Sequence, residues 1–177
     1  MRKYFLLSAL LLLTACGFHP IYGARSDDGT PVAEQLNQVA IENIAERRGQ
    51  ILRNELIDKM YGKGRPDHPL YHLVVRLRAA EENIAVQSNA ISTRTMLNSY
   101  GDYALQDAQG KEILKGTAHS VTSFSTLADQ YANLAAEEDA IDRTFSEISE
   151  QIVNRLSLYF AEKKPDASAA PSSSSKP

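Results

Sequence analysis

Two arginines in one short segment have the type and spacing needed to bind an anion. Arg76 and Arg78 are two residues apart where apolar and polar residues alternate, a pattern typical of a β-strand. Residues two apart in a strand project from the same face, and Arg94 is expected to join them from the next strand. Forked guanidinium groups bind phosphates through paired hydrogen bonds, so the three residues predict an anion-binding patch. The alternatives are an ordinary solvated face or a set of salt bridges to a partner.

A metal site is the first alternative chemistry. His68 and His72 have the i,i+4 spacing with which a helix presents two histidines to one metal ion. Pro69 lies between them, and the alternating pattern that follows favours a strand, so a helix is not expected there. The sequence therefore predicts no metal site and no cofactor.

A catalytic site is the second alternative, and no known sequence motif surrounds its candidate residues. His119 and Ser120 are adjacent and Asp129 follows nearby, but no strand-turn-helix elbow motif surrounds the serine. The glycines in Gly62–Arg65 lack the spacing of a phosphate-binding loop. The sequence therefore predicts a binding protein and not an enzyme.

The start of the chain carries the signal for a covalent modification. Arg2 and Lys3 precede an apolar run, Tyr4–Leu13, that is far shorter than the roughly 20 residues needed to span a bilayer. This is the pattern of a secretory signal peptide. The run ends as Leu-Thr-Ala-Cys at Leu13–Cys16, similar to a bacterial lipobox, in which the cysteine receives diacylglycerol and an amide-linked acyl chain such as palmitate. Several acyl chains anchor a protein to a membrane almost permanently, so Cys16 is the predicted lipidation site.

Composition restricts the partners of the mature chain. Cys16 is the single cysteine, which excludes a disulfide in the domain. Without residues 1–15 the chain keeps 17 basic and 22 acidic residues, a net charge of −5, so a general nucleic-acid binder is not expected. Gly17 follows the cysteine, where lipoproteins retained at the inner membrane often carry Asp, and it favours the outer membrane.

Hydrophobic periodicity predicts the elements that position these residues. A strand near 37–43 is followed by a helix over about 46–61, strands from residue 70 onward, over 92–106 and over 111–123, and a long helix over about 129–161. The predicted fold is an α+β two-layer sandwich of order β-α-β-β-β-α, with a mixed sheet of about four strands and two helices on one face. The predicted boundaries are a signal peptide at 1–15, a lipidated tether at 16–34, the domain at 35–162 and a disordered Ser/Ala/Pro tail at 163–177.

Two short motifs resemble a known family. Cys16–Pro20 reads Cys-Gly-Phe-His-Pro, and Arg48–Leu56 reads Arg-Gly-Gln-Ile-Leu-Arg-Asn-Glu-Leu. Together with the element order, they are similar to the mature start and the first helix of the lipopolysaccharide-assembly lipoprotein family LptE. The resemblance covers about residues 16–161 and does not extend to the Ser-rich tail.

The resemblance implies a function without catalytic residues. Proteins of that family plug the large outer-membrane barrel LptD, assist its assembly and take part in lipopolysaccharide delivery. The expected partners are thus an LptD-like barrel, lipopolysaccharide and the membrane, and the expected location is the outer membrane, periplasm-facing, within or beside a barrel. A different reading remains open: an outer-membrane lipoprotein that binds a small amphiphile or serves a transporter, without a barrel. A third hypothesis is a lipid-anchored hydrolase, but the sequence contains no nucleophile motif that would support it.

Overall fold

The structure, a computed structural model, describes residues 30–62, 64–86, 93–126 and 129–163. The predicted signal peptide, Cys16, nearly all of the tether and residues 164–177 of the tail lie outside the described residues. The elements in chain order are α1 (Val32–Leu36), β1 (Val39–Ile41), α2 (Glu46–Met60), β2 (Tyr71–Val86), β3 (Thr93–Asp107), β4 (Glu112–Thr126) and α3 (Gln130–Glu162).

The four strands form one mixed sheet in the order β1-β2-β3-β4. β1 pairs with β2 in parallel, and the other two pairings are antiparallel. The hairpin between β3 and β4 turns at Asp107, whose Oδ1 accepts hydrogen bonds from the Gln109 and Lys111 N–H groups at 3.0 and 2.9 Å. Gly110 completes the turn with φ of 79°, a backbone conformation that favours glycine. Beyond the turn, an irregularity between Leu105 and Gln106 shifts the pairing of β3 and β4 by one residue.

Helix α3 provides most of the apolar layer beneath the sheet. Asp129 caps its first turn by accepting a hydrogen bond from the Tyr131 N–H at 2.8 Å, and no Gly or Pro interrupts it. The helix packs against β4 and β3, and Ile148 lies directly under Gly101, where an added Cβ would stand 3.0 Å from its Cγ2 atom. Its buried side chains recur every three or four residues. They are Ala140, Ile141, Thr144, Phe145, Ile148, Ser149, Ile152, Val153, Leu156, Ser157 and Phe160.

Helix α2 completes the layer by packing against α3 and β1. Its buried positions, among them Leu52 and Leu56, recur at helical spacing. Just beyond its end, the Tyr61 hydroxyl donates to the Val39 carbonyl oxygen at 2.6 Å and accepts from the Ile41 N–H at 3.1 Å. One phenol thereby joins the end of α2 to the short strand β1.

The predicted fold class is confirmed, with one addition to the element order. The sheet is mixed and four-stranded, and both predicted helices pack on one face of it. Helix α1 was not predicted: it starts within the stretch 16–34 that we expected to be a tether, and Val32 in it is fully buried. Five residues are too few to establish a helical period in a sequence, so tertiary packing and not local pattern accounts for this helix.

Candidate functional site

The outer face of the sheet, the one turned away from the helices, is the candidate site. On β2, Leu73 and Val75 point into the core and are buried, whereas Arg76 and Arg78 point outward and are exposed. Strand alternation produces this division, because successive side chains project to opposite faces. The two arginines therefore stand side by side on one face, as their spacing predicted.

Arg78 already has an acidic partner on β3. Its Nε donates to Oδ2 of Asp102 at 2.8 Å, and Oδ1 of the same carboxylate accepts from the Thr117 hydroxyl on β4, also at 2.8 Å. The Thr117 hydrogen bond is the largest influence that lowers the pKa of Asp102, and the Arg78 hydrogen bond and charge add to it. Asp102 is therefore a carboxylate that compensates part of the positive charge of the arginine pair.

Stacked rings extend from Arg78 across the sheet. Its guanidinium lies 5.3 Å from the centre of the Tyr100 ring, and Tyr100 stacks on His119 with ring centres 4.3 Å apart and an interplanar angle of 16°. Cations above aromatic faces are attracted by the ring quadrupole. Arg78, Tyr100 and His119 thus form a row over three strands, and ring and carboxylate together hold the guanidinium in place.

Arg76 stands beside a shallow depression in the same face. The depression measures about 560 Å³, with Val74 and Arg76 on the β2 side, Ala104 and Asp102 of β3 in the middle and Lys115 opposite Ala104 on the β4 side. Lys115 is largely exposed and approaches Glu112 at 3.3 Å. Two cationic side chains therefore line the depression together with the carboxylates of Asp102 and Glu112, and the small Ala104 leaves room for an anionic group beside the cations.

Lys115 was not predicted as a site residue, and its position depends on an irregularity in the hairpin. A one-residue register shift between Leu105 and Gln106 places Lys115 opposite Ala104, on the face that carries Arg76. Counting outward from the Asp107–Gly110 turn without that shift puts this lysine opposite Tyr103, on the inner face. The basic side chains that the structure brings together are Arg76, Arg78 and Lys115.

Arg94 is not part of this group. It lies on the same face of β3, but it is six residues from Tyr100, the residue opposite Arg78, which corresponds to about 20 Å along a strand. Its guanidinium donates to the Ser123 hydroxyl at 2.9 and 3.1 Å. The predicted cluster of three arginines is therefore a pair, with Arg94 at the far end of the sheet.

The residues weighed for catalysis point in different directions. The His119 ring lies on the outer face against Tyr100, whereas the Ser120 hydroxyl on the inner face donates to Glu147 at 2.6 Å. Asp129 caps α3. These three side chains therefore share no site.

The two histidines considered as metal ligands also lie in different surroundings. His72 lies in β2 with its Nδ1 2.7 Å from Glu42, whereas His68 precedes the strand in a bend. Among the described residues, no group of three or more His, Cys, Asp or Glu side chains is arranged to hold a metal ion.

In the same part of the chain, no helix combines the length and apolar character that a membrane-spanning helix requires.

Comparison with known proteins gives this fold a class. A lipoprotein from Caulobacter crescentus CB15 has 27% sequence identity and a TM-score of 0.63, over 76% of this chain and 98% of that one. A minor lipoprotein from Acinetobacter baumannii (14%, TM-score 0.49, 68% and 90% covered) and lipoprotein B from Nitrosomonas europaea (14%, TM-score 0.47, 68% and 82% covered) also match. Curated protein sequences gave no match. The Caulobacter match, over nearly all of that chain, shows that a bacterial lipoprotein has the same two-layer fold.

The family follows from the sequence model that matches most of the domain. The model for LptE, described as lipopolysaccharide-assembly, matches residues 36–156, well over half of the chain. The chain belongs to the LptE family. The family consists of outer-membrane lipoproteins of Gram-negative bacteria that act in lipopolysaccharide assembly.

Proposed function

We propose that this protein is a lipid-anchored plug of an LptD-like outer-membrane barrel that assists assembly of the barrel and takes part in delivering lipopolysaccharide to the outer leaflet. Membership of the LptE family supports the role in lipopolysaccharide assembly. The observation that carries the finer proposal is the polar outer face of the sheet, with Arg76, Arg78 and Lys115 in one group.

A polar sheet face suits the interior of a barrel. The lumen of an outer-membrane barrel is polar, so a plug must offer side chains that remain solvated or hydrogen-bonded there. Here the apolar side of every strand is turned toward α2 and α3, and the outer face carries charged and hydroxyl side chains. Of the described large hydrophobic residues that remain well exposed, Val121 is the one on this face.

The anchor is proposed at Cys16. The Leu13–Cys16 motif and the preceding apolar run support cleavage before Cys16 and lipidation of its thiol and amino group. In wild-type protein extracted from membranes, intact mass should exceed the chain mass from Cys16 onward by that of the acyl groups. Cys16→Ser should instead accumulate as an uncleaved precursor. A wild-type mass without acyl groups would refute the anchor.

Lipopolysaccharide is the proposed anion for the arginine pair. It carries phosphates beside acyl chains, and an arginine can lay its aliphatic stem on apolar surface while its guanidinium binds phosphate. Val74 lies next to Arg76 in the same depression and offers such apolar surface. The pair, with Lys115 across the depression, is therefore proposed to bind phosphate groups during delivery.

Two assays on one variant test the site. Arg76→Glu/Arg78→Glu should weaken lipopolysaccharide binding at least tenfold with little loss of stability, because exposed charges contribute little to folding. Arg94→Glu is the matched control: it is the same substitution on the same face, about 20 Å away. Unchanged lipopolysaccharide binding by the double variant would reject the patch. Loss of barrel binding alone would mean that the arginines contact the barrel.

The partner itself is tested by co-purification. After gentle detergent extraction from its own cells, a plug should be recovered with an outer-membrane barrel of much greater mass. Mass identification of the recovered proteins measures this directly. Recovery of the lipoprotein without any barrel would reject the plug and favour the alternative below.

One observation favours the alternative, binding of a small amphiphile without a barrel. An open depression of about 700 Å³ lies between the far ends of strands β2 to β4 and the start of α3, and Phe124, Tyr131 and Leu134 line it together with Glu81 and Glu137. Tyr131 and Leu134 are 87% and 55% exposed, although they are large and apolar. A fatty acid with a fluorescent label should bind there if this reading is correct, and Leu134→Glu should abolish that binding.

A further inference from the structure

Strand β1 covers only the beginning of the free edge of β2. Val39–Ile41 pair with Tyr71–Leu73, and the last bond runs from the Glu42 N–H to the Leu73 carbonyl oxygen at 3.0 Å. Backbone polar groups point to alternate sides along a strand, so every second residue after Leu73 directs its N–H and C=O to the same edge. These residues are Val75, Leu77, Ala79 and Glu81. Within the described ranges their backbone N–H and C=O groups on this side have no hydrogen-bond partner, so β2 presents an unpaired backbone edge there, although the Glu81 carboxylate accepts from Arg48 of α2.

The residues along this edge are exposed. All residues from Arg78 to Asn83 are exposed, and the contact that the helical layer makes with them is the ion pair between Arg48 of α2 and Glu81 on the inner face. Its centre is Ala79 and Ala80, without the proline, lysine or bulge that usually protects an edge strand. The irregularity in β2 comes later, between Asn83 and Ala85. The edge is therefore open to an added strand.

The charges along the edge are ordered, and the order identifies the partner. The segment reads Arg-Leu-Arg-Ala-Ala-Glu-Glu from Arg76 to Glu82, basic in its first half and acidic in its second. A second copy in antiparallel orientation reverses that order, so that about Ala79 the basic Arg76 faces the acidic Glu82, whereas Arg78 faces Ala80 and no like charges lie directly opposite. Opposite charges directly across a strand pair attract, and like charges repel. The segment is thus complementary to itself.

We infer that the Arg76–Glu82 edge of β2 pairs antiparallel with the same edge of a second copy of this chain, about a two-fold axis at Ala79. In that register Arg76 lies opposite Glu82 of the second copy, and the pair occurs twice by symmetry. Both residues are exposed, and neither forms an ion pair within the described part of its own chain. The small Ala79 side chains meet at the axis.

A barrel wall does not fit this edge. The strands of a closed barrel are hydrogen-bonded on both sides and offer no unpaired backbone. The tail from Pro165 onward is rich in Pro and Ser, which are poor strand formers. The proposed pairing therefore belongs to the protein outside a barrel. It shares Arg76 with the lipopolysaccharide proposal, whereas Glu82 belongs to the pairing alone, so Glu82→Arg distinguishes the two.

A charge-exchange cycle tests the pairing. Full-length protein in detergent is examined by light scattering, with the detergent mass subtracted, over a hundredfold range of concentration. Wild type should pass from one copy to two. Arg76→Glu and Glu82→Arg should each weaken association about tenfold or more, because each places two like-charge pairs across the axis, and the double exchange should restore it. Lys115→Glu, a charge reversal on β4 at the opposite edge, should leave association unchanged.

Amide hydrogen exchange separates edge pairing from association through acyl chains. In the dimer, the amides of Leu77, Ala79 and Glu81 should exchange at least tenfold more slowly than in dilute protein, and this protection should follow the charge cycle. The proposal is overturned if the protein is a single copy at every concentration. It is also overturned if association occurs without protection of these amides, or if the double exchange fails to restore it.

Discussion

The Gln151 side chain on α3 occupies the position that a neighbouring strand would take beside His119. Its Nε2 donates to the His119 carbonyl oxygen at 2.9 Å, and its Oε1 accepts from the His119 N–H at 3.2 Å. A primary amide carries the same donor and acceptor as a peptide group, so it satisfies both backbone groups at once. β4 is the last strand of the sheet, and unpaired edges of this kind recruit other strands. The middle of this edge is thereby closed from within the chain.

Removing that amide should expose the backbone of His119. We expect Gln151→Ala to speed amide exchange at His119 severalfold and to lower the free energy of unfolding by about 0.5–1.5 kcal/mol, the usual net contribution of such hydrogen bonds. Exchange measured by NMR and chemical unfolding check both numbers. Glu150→Ala, at the neighbouring exposed position of α3, is the control. Unaltered exchange at His119 would show that the amide does not protect this edge.

Leu156 tests the packing between α3 and the sheet. The side chain is fully buried, so Leu156→Ala should lower the free energy of unfolding by about 2–5 kcal/mol through lost burial and the cavity left behind. Leu158→Ala two positions later removes the same atoms from a side chain that is 37% exposed, and it should cost much less. Equal losses for the two variants, measured by urea unfolding, would contradict the assigned face of the helix.

The parts of the fold that could be predicted from the sequence depend on local signals. The long helix was predictable because Ile148, Ile152 and Leu156 recur at helical spacing without an intervening Gly or Pro. The β3–β4 hairpin was predictable because Asp107 and Gly110 supply the side-chain acceptor and the positive φ that the turn requires. Each of these signals lies within a few residues of the structure that it specifies.

The site was predicted less completely because it depends on register between strands. The spacing of Arg76 and Arg78 placed both on one face, but nothing local revealed that Asp102 would lie beside Arg78. The connection from β2 to β3 contains no Gly or Pro that would mark its turn, so the offset between the strands could not be counted from the sequence. Because the register between β2 and β3 was unknown, Arg94 was predicted to lie beside Arg76 and Arg78.

The hydroxyl of Tyr61 should stabilise the short strand β1. Tyr61→Phe keeps the ring but leaves the Val39 carbonyl and the Ile41 N–H without this partner, so we expect a loss of about 1–3 kcal/mol in the free energy of unfolding. Tyr131→Phe is the control, because Tyr131 is 87% exposed and should tolerate the change. Thermal and chemical unfolding of both variants give the comparison. A Tyr61→Phe protein as stable as wild type would mean that water replaces the hydroxyl.

Asp102 should couple the charge of the outer face to pH. The Thr117 hydroxyl, followed by Arg78, holds the pKa of Asp102 below its usual value, so the folded state favours the carboxylate. Stability from this source is therefore present above the unfolded pKa of about 3.9 and is lost as the pH falls through the lower folded value. Asp102→Asn removes this contribution. Wild type should exceed the variant in stability at neutral pH, and the difference should shrink on acidification.

The same variant should act in the opposite direction on anion binding. Without the carboxylate, Arg78 gains an uncompensated charge beside Arg76, so Asp102→Asn should bind lipopolysaccharide more tightly than wild type near pH 7, by about two- to tenfold. Asp58→Asn, a change at an exposed position of α2, makes the same charge change away from this face and should have little effect on either property. Unfolding curves from pH 7 down to 3, with binding titrations at two salt concentrations, measure both. If Asp102→Asn leaves lipopolysaccharide binding unchanged while stability falls as expected, Asp102 orders the sheet surface and the arginine pair is not the binding site.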